Sequence, residues 1–456
     1  VIAFAIRVNG LLARSLDNPS ILFPASFLAL IAVSTLLLML PVSTPVDHRI
    51  GWVDASFTAT SAVCVTGLAV RDTASGFTPF GQTVILASIQ LGGLGVMIFG
   101  STLALLFGAR LSFREHVTLS MALDEYPAHR ITRFAWFIVL TTFALEAIGA
   151  AAIAFSWPGD EDLATRLRMG VFHSVSAFCN AGFDITGESL VGVRREMTPY
   201  VGIAPMIILG GLGFIVLEDF FTQGRARLLG RSRRMRLTTH SKVVLVTSTA
   251  LLIGGFLVLL IAQAFATGTF TLQSLLDAAF MSTTARTAGF TSVPMEELSS
   301  GSRLTLMFLM AIGGSPGSTA GGMKTVVFAM LLLAVASTVR GREEVEVFGR
   351  ALPDALVKKA ATVAAGFTGV VALSMLVLDL TEEIPFEPLL FEVVSAATTT
   401  GLSLGATDDL STAGRVVITL TMFLGRVGAL SLIAALIGTT GASGRYRLPR
   451  DTVSLG

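Results

Sequence analysis

Apolar residues along this chain fall into runs of two lengths. Eight runs reach the roughly 20 residues that a helix needs to cross the hydrocarbon core of a bilayer. They are residues 21–40, 80–107, 134–155, 199–221, 243–265, 304–339, 360–380 and 416–438. Four shorter runs lie between members of successive pairs: 53–63, 165–178, 272–284 and 388–397. This pattern predicts four units, each with two spanning helices and one re-entrant helix between them.

Each short run leads into a segment of similar sequence with a glycine at the same place. The four segments are SAVCVTGL (61–68), SAFCNAGF (176–183), TTARTAGF (283–290) and SAATTTGL (395–402). Small residues with glycine also mark close helix packing in membranes, and a single match would favour that interpretation. Four matches in register at near-equal spacing favour four quasi-equivalent loops that line one pore.

We therefore predict an all-α integral membrane protein, with four helix–pore-helix–filter–helix repeats around a pseudo-fourfold pore. The predicted parts are a cytoplasmic N-terminal segment (1–20), repeat 1 (21–108), repeat 2 (134–222), repeat 3 with a broken second helix (243–339), repeat 4 (360–440) and a cytoplasmic C-terminal tail (441–456). The first apolar run continues into mature-looking sequence, so no removable signal peptide is expected.

Backbone carbonyls are the predicted ion ligands. A dehydrated cation needs oxygens to replace its water, and rings of carbonyls supply them. The side chains before the four glycines differ widely while the glycine does not, as expected when the backbone performs the function. The predicted K⁺ ligands are Cys64, Val65, Thr66, Gly67, Cys179, Asn180, Ala181, Gly182, Arg286, Thr287, Ala288, Gly289, Thr398, Thr399, Thr400 and Gly401.

Three of these ligand positions carry side chains that need separate comment. Cys64 and Cys179 occupy the same place in two repeats, and the absence of a CxxC motif or a His partner argues against a metal or redox pair. Arg286 would repel K⁺ if it faced the pore. We expect it to point behind the filter and to pair with Asp277 or Glu296.

The second helices of three repeats begin alike, with LGGLGVMIFG (91–100), LGGLGFIVLED (209–219) and FLGRVGALSL (423–432). The third repeat departs from them with AIGGSPGSTAGGMKT (311–325), which cannot maintain a regular helix. A flexible loop below the filter is a candidate gate. The spacing does not fit the phosphate-binding motif GxxxxGK[ST]. The predicted gate residues are Gly313, Gly314, Ser315, Pro316, Gly317, Ser318, Thr319, Ala320, Gly321, Gly322 and Lys324, together with Arg426.

Arg426 lies inside an apolar helix, where an arginine is costly and usually functional. We expect it to donate to carbonyls of the third-repeat loop and to latch that loop. The alternatives are snorkelling and an ion pair with Glu146. The five histidines are scattered without ligand spacing, and no nucleophile–base pair is present, so an enzyme is not expected.

The distribution of charge predicts the orientation. Hydrophobic residues make up 53% of the chain and charged residues only 14%, against about 25% charged in soluble domains. If both termini are cytoplasmic, the inner segments hold 21 of the 32 Lys and Arg residues, as the positive-inside rule requires. The net charge of +1 gives no reason to expect a nucleic-acid partner.

VDASFTATSAVCVTGL, TARTAGF, LGGLG and GGSPGSTAGGMKT together resemble the Trk/Ktr/HKT superfamily of cation transporters, over residues 18–441. The short segment ahead of the first span is similar to the Ktr type. The resemblance implies uptake of K⁺, stimulated by Na⁺, across the inner (plasma) membrane without an organic cofactor. It also implies a membrane homodimer, a cytosolic ring of nucleotide-binding RCK subunits, and a gate formed by the third-repeat loop and Arg426. Filter glycines in all four repeats are similar to those of the K⁺-selective members.

Other classes of transporter remain as alternatives. A Na⁺-selective or K⁺/Na⁺-coupled transporter would share this fold. A solute-coupled secondary transporter also has glycine breaks, but it normally uses two inverted halves and binding side chains at the midplane. The coupling ion, the regulating nucleotide and the choice between coupled and passive transport stay open.

Overall fold

The computed structural model describes residues 19–106, 131–230, 237–342 and 344–428. Several predictions fall outside these ranges: most of the N-terminal segment 1–20, the basic residues Arg7, Arg14, Arg110, Arg114, Arg130, Arg231, Arg233, Arg234 and Arg236, the end of repeat 4, and the tail 441–456 with Arg445, Arg447 and Arg450.

The first two repeats have the predicted order of elements. Repeat 1 contains α1 (Pro19–Leu38), the pore helix α2 (Trp52–Val63), the short α3 (Thr73–Gly76) and α4 (Pro79–Leu106). Repeat 2 contains α5 (Ile131–Ser156), the pore helix α6 (Leu163–Cys179), a π-helical turn (Thr198–Ile203), α7 (Ala204–Leu212) and α8 (Phe214–Leu228).

The last two repeats follow the same order. Repeat 3 contains α9 (Thr239–Thr267), the pore helix α10 (Leu272–Thr284), a 3-10 turn (Met295–Glu297), α11 (Ser300–Ile312) and α12 (Thr325–Val339). Repeat 4 contains α13 (Asp354–Thr381), the pore helix α14 (Phe386–Thr398), the short α15 (Ala406–Asp409) and α16 (Thr412–Val427). A helix thus occupies each of the four short apolar runs.

Polar side chains at the outer ends define where several of these helices begin. The Asp162 carboxylate accepts from the Thr165 N–H at 3.3 Å and begins α6, and hydrogen bonding to Thr165 lowers the pKa of this exposed carboxyl. Thr271 caps α10 through the N–H of Ser274 at 3.0 Å. Such caps satisfy backbone donors that lack a partner within the helix. These two pore helices therefore start at exposed residues and direct their buried C-terminal ends toward the protein centre.

Three of the second helices break at a glycine, whereas the sequence singled out only the third repeat. The breaks lie at Gly95 (φ 71°), Gly213 (φ 89°) and Gly313 (φ 64°), and α16 of repeat 4 ends at Gly428 (φ 83°), the last residue described there. Each glycine is the last residue of LGGLG or of its counterparts LMAIG and LGRVG. Positive φ is the region that favours glycine, so one motif position interrupts or ends the helix in every repeat. The bend between α7 and α8 is 97°.

These breaks reduce the number of continuous spanning helices. Among the described residues, three helices are long and apolar enough to cross a membrane: 133–156, 239–266 and 354–381. The bent pair α7–α8 is a fourth candidate span. The continuous spans are therefore first helices of repeats, and the second helices of repeats 1 to 3 are built in two pieces.

A small β-hairpin interrupts the helical pattern between α12 and α13. Strands β1 (Val345–Val347) and β2 (Arg350–Leu352) are antiparallel, and Phe348 and Gly349 form the turn with φ of 49° and 74°. Two central residues with positive φ give a hairpin turn whose backbone twist matches the twist of the flanking strands. The basic segment 340–359, expected to be a loop, therefore holds an ordered hairpin. The predicted helical membrane fold is otherwise confirmed.

Candidate ion filter and gate

The four filter glycines form one closed ring. A β-carbon added to any of them would collide with the carbonyl oxygen that precedes the next glycine: Gly67 with Ala181, Gly182 with Ala288, Gly289 with Thr400, and Gly401 with Thr66. At Gly182 the added β-carbon would lie 2.8 Å from that oxygen. The ring follows the chain order of the repeats and closes from the fourth to the first. Pseudo-fourfold packing around an axis is the arrangement that a pore requires.

The backbone takes the same unusual path in each filter. The residue two positions before each glycine is not glycine and yet has positive φ: Val65 (58°), Asn180 (58°), Thr287 (68°) and Thr399 (50°). The glycine itself has φ between 70° and 94°. Positive φ at non-glycine residues costs free energy and persists where the surroundings impose it. Four occurrences at one motif position indicate a backbone shaped for its carbonyls.

A hydroxyl at the end of each pore helix holds its filter. Ser61 Oγ accepts from Gly67 N at 3.1 Å, and Ser395 Oγ accepts from Gly401 N at 3.0 Å. In the other two repeats the hydroxyl donates to the carbonyl after the glycine, at 2.7 Å in each case: Ser176 to Phe183, and Thr284 to Phe290. A Ser or Thr at or next to the start of each motif therefore positions the filter backbone.

The third filter is one residue shorter than the others. Ala288 N donates to the carbonyl of Thr284, four residues back, whereas Thr400 N donates to Ser395, five residues back. Repeats 1 and 2 have the same five-residue bond. The sequence alignment placed Thr283 opposite Ser61, and this register is wrong by one position because the shortening lies between the pore helix and the glycine.

Buried side chains anchor the filters from behind. Leu68, Phe183, Phe290 and Leu402, which follow the four glycines, are all buried. Cys64 and Cys179 are buried free thiols. In the parts of the chain that the structure describes, no group of three or more His, Cys, Asp or Glu side chains comes together as a metal site.

Arg286 points behind the filter, but its expected carboxylate partner is wrong. Its guanidinium donates to Ser248 Oγ at 3.1 Å and to the Gly313 carbonyl at 3.4 Å. Asp277 is instead 3.5 Å from Arg194. Asp277 lies in the middle of α10, whereas Arg286 lies beyond its C-terminal end, and this separation along the pore helix gives the two residues different neighbours. Arg286 thereby joins the third filter to the start of the gate loop.

The predicted gate residues form a buried loop, residues 313–324, that joins α11 to α12. The Thr319 hydroxyl donates to the Phe178 carbonyl of repeat 2 at 2.9 Å. Gly321 N donates to Thr287 Oγ1 of the third filter at 3.0 Å. A β-carbon on Gly321 would also collide with the fourth filter, at Thr399. The loop therefore lies against the third and fourth filters and against the end of the pore helix of repeat 2.

Within the loop, backbone bonds close a compact turn. Gly314 N donates to the Gly321 carbonyl at 3.3 Å, and Thr325 N donates to the Gly314 carbonyl at 2.9 Å. Lys324 Nζ donates to the Ala320 carbonyl at 2.6 Å. Each of these partners belongs to the loop or to the first residue of α12, so the segment holds its own shape.

Arg426 makes the contact with the loop that the sequence analysis anticipated. Its guanidinium donates to the Thr319 carbonyl at 2.7 Å and to the Gly92 carbonyl of repeat 1 at 3.0 Å. Glu146, the alternative partner, accepts instead from Gln90 at 3.1 Å. One side chain of repeat 4 therefore joins the loop of repeat 3 to the second helix of repeat 1.

The first glycine of LGGLG has a role that sequence reasoning missed. A β-carbon at Gly92, Gly210 or Gly425 would collide with the carbonyl of Val63, Phe178 or Ala397, respectively, at the end of a pore helix. These glycines let the second helices approach the pore helices closely. The repeated motif was the available signal, but only the packed helices identify what each glycine faces.

Ion pairs between neighbouring repeats surround the outer rim, and the sequence did not reveal them either. Arg415 of α16 lies 2.8 Å from Asp54 of α2, and Arg303 of α11 lies 3.5 Å from Glu387 of α14. The pair Arg194–Asp277 joins repeats 2 and 3. Each bridge joins an arginine of one repeat to the pore helix of the next, so these three junctions follow the same order as the filter.

Comparison with known proteins identifies the family. Residues 8–439 match the family model TrkH, described as a cation transport protein. The chain is 36% identical to the potassium/sodium uptake protein NtpJ of Enterococcus hirae, over 96% of this chain and 97% of that protein. It is 33% identical to the Ktr system potassium uptake protein B of Bacillus subtilis, over 94% and 95% of the two chains.

The fold agrees with a solved structure. The crystal structure of the potassium transporter TrkH from Vibrio parahaemolyticus matches with a TM-score of 0.66 at 20% identity, covering 91% of this chain and 85% of that one. The resemblance to the Trk/Ktr/HKT superfamily is thus confirmed, and so is the prediction of a multi-pass membrane transporter and not an enzyme. The chain belongs to the TrkH family of cation transport proteins.

Proposed function

We propose that this protein carries K⁺ across the cell membrane through the glycine ring, with backbone carbonyls of residues 64–67, 179–182, 286–289 and 398–401 as the ion ligands. The closed ring with its repeated positive-φ positions is the observation that carries this proposal. Relatives named for potassium uptake support the choice of ion. The flux runs inward if the filters face the medium, as the charge distribution indicates.

The gate proposal assigns loop 313–324 and Arg426 to one barrier below the filter. The loop contacts the pore helix of repeat 2 through Thr319 and filter 3 through Gly321, and Arg426 holds the Thr319 carbonyl. A buried cation at this depth repels K⁺ electrostatically and also fixes the loop. Opening requires the loop to move, because its backbone packs directly against the filter ends.

Na⁺ is the second candidate ion. The relative from Enterococcus hirae is named for both potassium and sodium uptake, and stimulation of K⁺ uptake by Na⁺ is part of the proposal. The third filter is one residue shorter than the others, so the four carbonyl sets are not equivalent. A filter with fewer well-formed ion sites would discriminate between K⁺ and Na⁺ more weakly than a symmetric filter does. A Na⁺-selective or coupled transporter is the alternative on the same geometry.

Assembly and regulation belong to the same proposal. We expect a homodimer in the inner membrane with both termini cytoplasmic, controlled by a cytosolic RCK-type nucleotide-binding ring. The hairpin β1–β2 follows directly from α12, the helix after the gate loop. A partner that moves this hairpin would act on the loop through α12, provided that it contacts the open and closed states differently.

Flux in reconstituted vesicles tests the proposed function. Purified protein should pass K⁺ faster than Na⁺, measured with and without Na⁺ on the outer side. Uptake of an organic solute driven by Na⁺, without K⁺ flux, would contradict the proposal and favour the secondary-transporter class. Equal passage of K⁺ and Na⁺ would still support a cation pore but would refute its selectivity for K⁺.

A further inference from the structure

One buried position of the pore helix holds a different residue in every repeat. It lies three residues before the Ser or Thr that bonds its own filter. The residues are Thr58, His173, Met281 and Glu392, and all four are buried. This position, which we call the back-filter position, differs chemically among the four repeats.

In repeat 4 the back-filter position joins the pore helix to the segment beyond the filter. Glu392 is fully buried in α14. Its Oε2 accepts from Ser403 Oγ at 2.7 Å, and its Oε1 accepts from the hydroxyl of Thr407. Ser403 follows Gly401 by two residues, and Thr407 lies in α15. The carboxyl group therefore connects α14 to both ends of the segment that leaves the filter.

The Ser403 hydroxyl extends this connection. It also accepts from Gly405 N at 3.0 Å, which closes the turn between the filter and α15. Beyond α15, Arg415 donates to the Asp408 carbonyl at 3.4 Å and bonds Asp54 of repeat 1. Glu392 is thus at the centre of a network that fixes the outer mouth of the fourth filter against the first repeat.

The other repeats lack this connection within the described residues. Thr58 Oγ1 has no hydrogen-bond partner there, and Met281 has no hydrogen-bonding group to offer. His173 Nδ1 bonds the Met169 carbonyl of its own helix at 2.8 Å, and its Nε2 has no partner in the described part. Asp184, the counterpart of Ser403, accepts from Thr186 N and Gly187 N in a local turn.

We propose that Glu392 is a positioning residue for ion selection: it sets the backbone of residues 401–403 and with it the outermost carbonyls of the fourth filter. This inference rests on the proposed function. A buried carboxyl is costly unless hydrogen-bonded, and here two hydroxyls satisfy it. Removal of both bonds frees the segment, so its carbonyls adapt to Na⁺ as well as to K⁺ and discrimination falls.

A pair of variants of similar volume separates hydrogen bonding from packing. Glu392→Gln retains an acceptor for one hydroxyl and gains a donor for the other, so the connection remains. Glu392→Met fills the same space without hydrogen bonds. We expect the K⁺/Na⁺ flux ratio in vesicles to fall by about tenfold in Glu392→Met, the loss expected from one to two net hydrogen bonds. The ratio should stay near the wild-type value in Glu392→Gln.

Matched controls limit the interpretation. Thr58→Val changes the equivalent position of repeat 1, where no connection exists, and should leave the flux ratio unchanged. Ser403→Ala and Thr407→Val remove the donors at the other end and should each lower the ratio partly. They also provide the test if Glu392→Met fails to fold. Ser403→Ala combined with Glu392→Met should add little to the single change.

Two outcomes would overturn the inference. A wild-type flux ratio in folded Glu392→Met, or in both donor variants, would show that the connection does not affect selection. Equal losses in Glu392→Gln and Glu392→Met would assign the effect to charge instead of positioning. Failure of the proposed function itself is separate: it would appear as wild-type protein that passes no K⁺, or as Gly401→Ser with unchanged selectivity.

Discussion

Arg426 donates to the carbonyl oxygen of Thr319 at 2.7 Å, across the space between the fourth and third repeats. The second bond of the same guanidinium, at 3.0 Å to Gly92, reaches the first repeat. A planar, permanently charged side chain can hold two carbonyls at once, which a lysine ammonium does with less geometric control. This relationship couples the loop position to the packing of the second helices.

Arg426→Ala should therefore raise resting K⁺ flux. Hydrogen bonds to a charged group contribute about 1.5–3 kcal/mol each, so a loss of ~2 kcal/mol from the closed state shifts the open population by about thirtyfold. The measurement is K⁺ efflux from vesicles without regulatory partners. Arg415→Ala on the same helix is the control and should not raise resting flux. Lost flux in folded Arg426→Ala would show that the loop binds ions instead of blocking them.

Serine in place of Gly67, Gly182, Gly289 or Gly401 should weaken K⁺ selectivity. The added β-carbon meets the carbonyl of the next filter. In addition, positive φ costs roughly 1–2 kcal/mol for a residue other than glycine. The measurement is the K⁺/Na⁺ flux ratio, which should fall in each variant by an amount that differs among the repeats. Gly254→Ser in α9, where an added β-carbon meets nothing within 4 Å, is the control. Unchanged selectivity in all four filter variants would refute the carbonyl filter.

Gly210 and Gly211 are adjacent but should differ in their tolerance of substitution by alanine. A β-carbon on Gly210 collides with the Phe178 carbonyl, whereas on Gly211 it makes an ordinary contact of 3.7 Å with Asn180. Gly210→Ala should lower the free energy of unfolding by about 1–3 kcal/mol through overpacking, and Gly211→Ala should have little effect. Thermal unfolding in detergent compares the two. Equal melting temperatures would show that the helices move apart at no cost.

The pair Arg415–Asp54 should stabilise the seam between repeats 4 and 1. Its partly exposed side chains predict a coupling of about 0.2–1 kcal/mol in a double-mutant cycle, weakened by salt. The variants are Arg415→Gln, Asp54→Asn and their combination, compared by unfolding at low and high ionic strength. Strictly additive effects would show that the two residues do not interact.

Charge reversal at Arg340, Arg342 and Arg350 should uncouple flux from nucleotide while leaving selectivity intact. Arg342, which precedes the hairpin, bonds Glu346 of β1 at 2.6 Å. Exchanging those two residues restores the local pair with reversed charges and serves as a second variant. Co-purification of the RCK-type partner and the nucleotide response of flux are the measurements. Normal binding and response in the triple variant would limit these arginines to topology and lipid attraction.

The register of the third filter could not be obtained by aligning the sequences of the repeats. TTARTAGF aligns with SAFCNAGF without a gap, which places Thr283 opposite Ser176. The bond that Ser176 makes in repeat 2 is nevertheless made by Thr284 in repeat 3. A deletion in a loop leaves no trace in an ungapped match when both neighbouring residues are threonine. Only the hydrogen bonds of the folded backbone place the shortening before Gly289.

The sequence by itself determined the four repeats, the pore helices, the filter glycines and the break in the third repeat. These features depend on local properties: the length of apolar runs, the positive φ open to glycine, and the inability of 313–322 to stay helical. It also indicated the contact of Arg426 with the loop, because charge at membrane depth needs a polar partner.

Only the tertiary structure decided which groups meet. Arg286 bonds neutral oxygens of Ser248 and Gly313 instead of a carboxylate, and Glu392 meets Ser403 and not a cation. The final glycine of the LGGLG pattern breaks the second helices of repeats 1 to 3 and ends α16 in repeat 4, although the sequence predicted a break in the third repeat alone. Such outcomes depend on tertiary packing: Ser248 and Gly313 lie 38 and 27 positions from Arg286, and Ser403 lies 11 positions from Glu392. Residues so far apart along the chain carry no local signal of their contact.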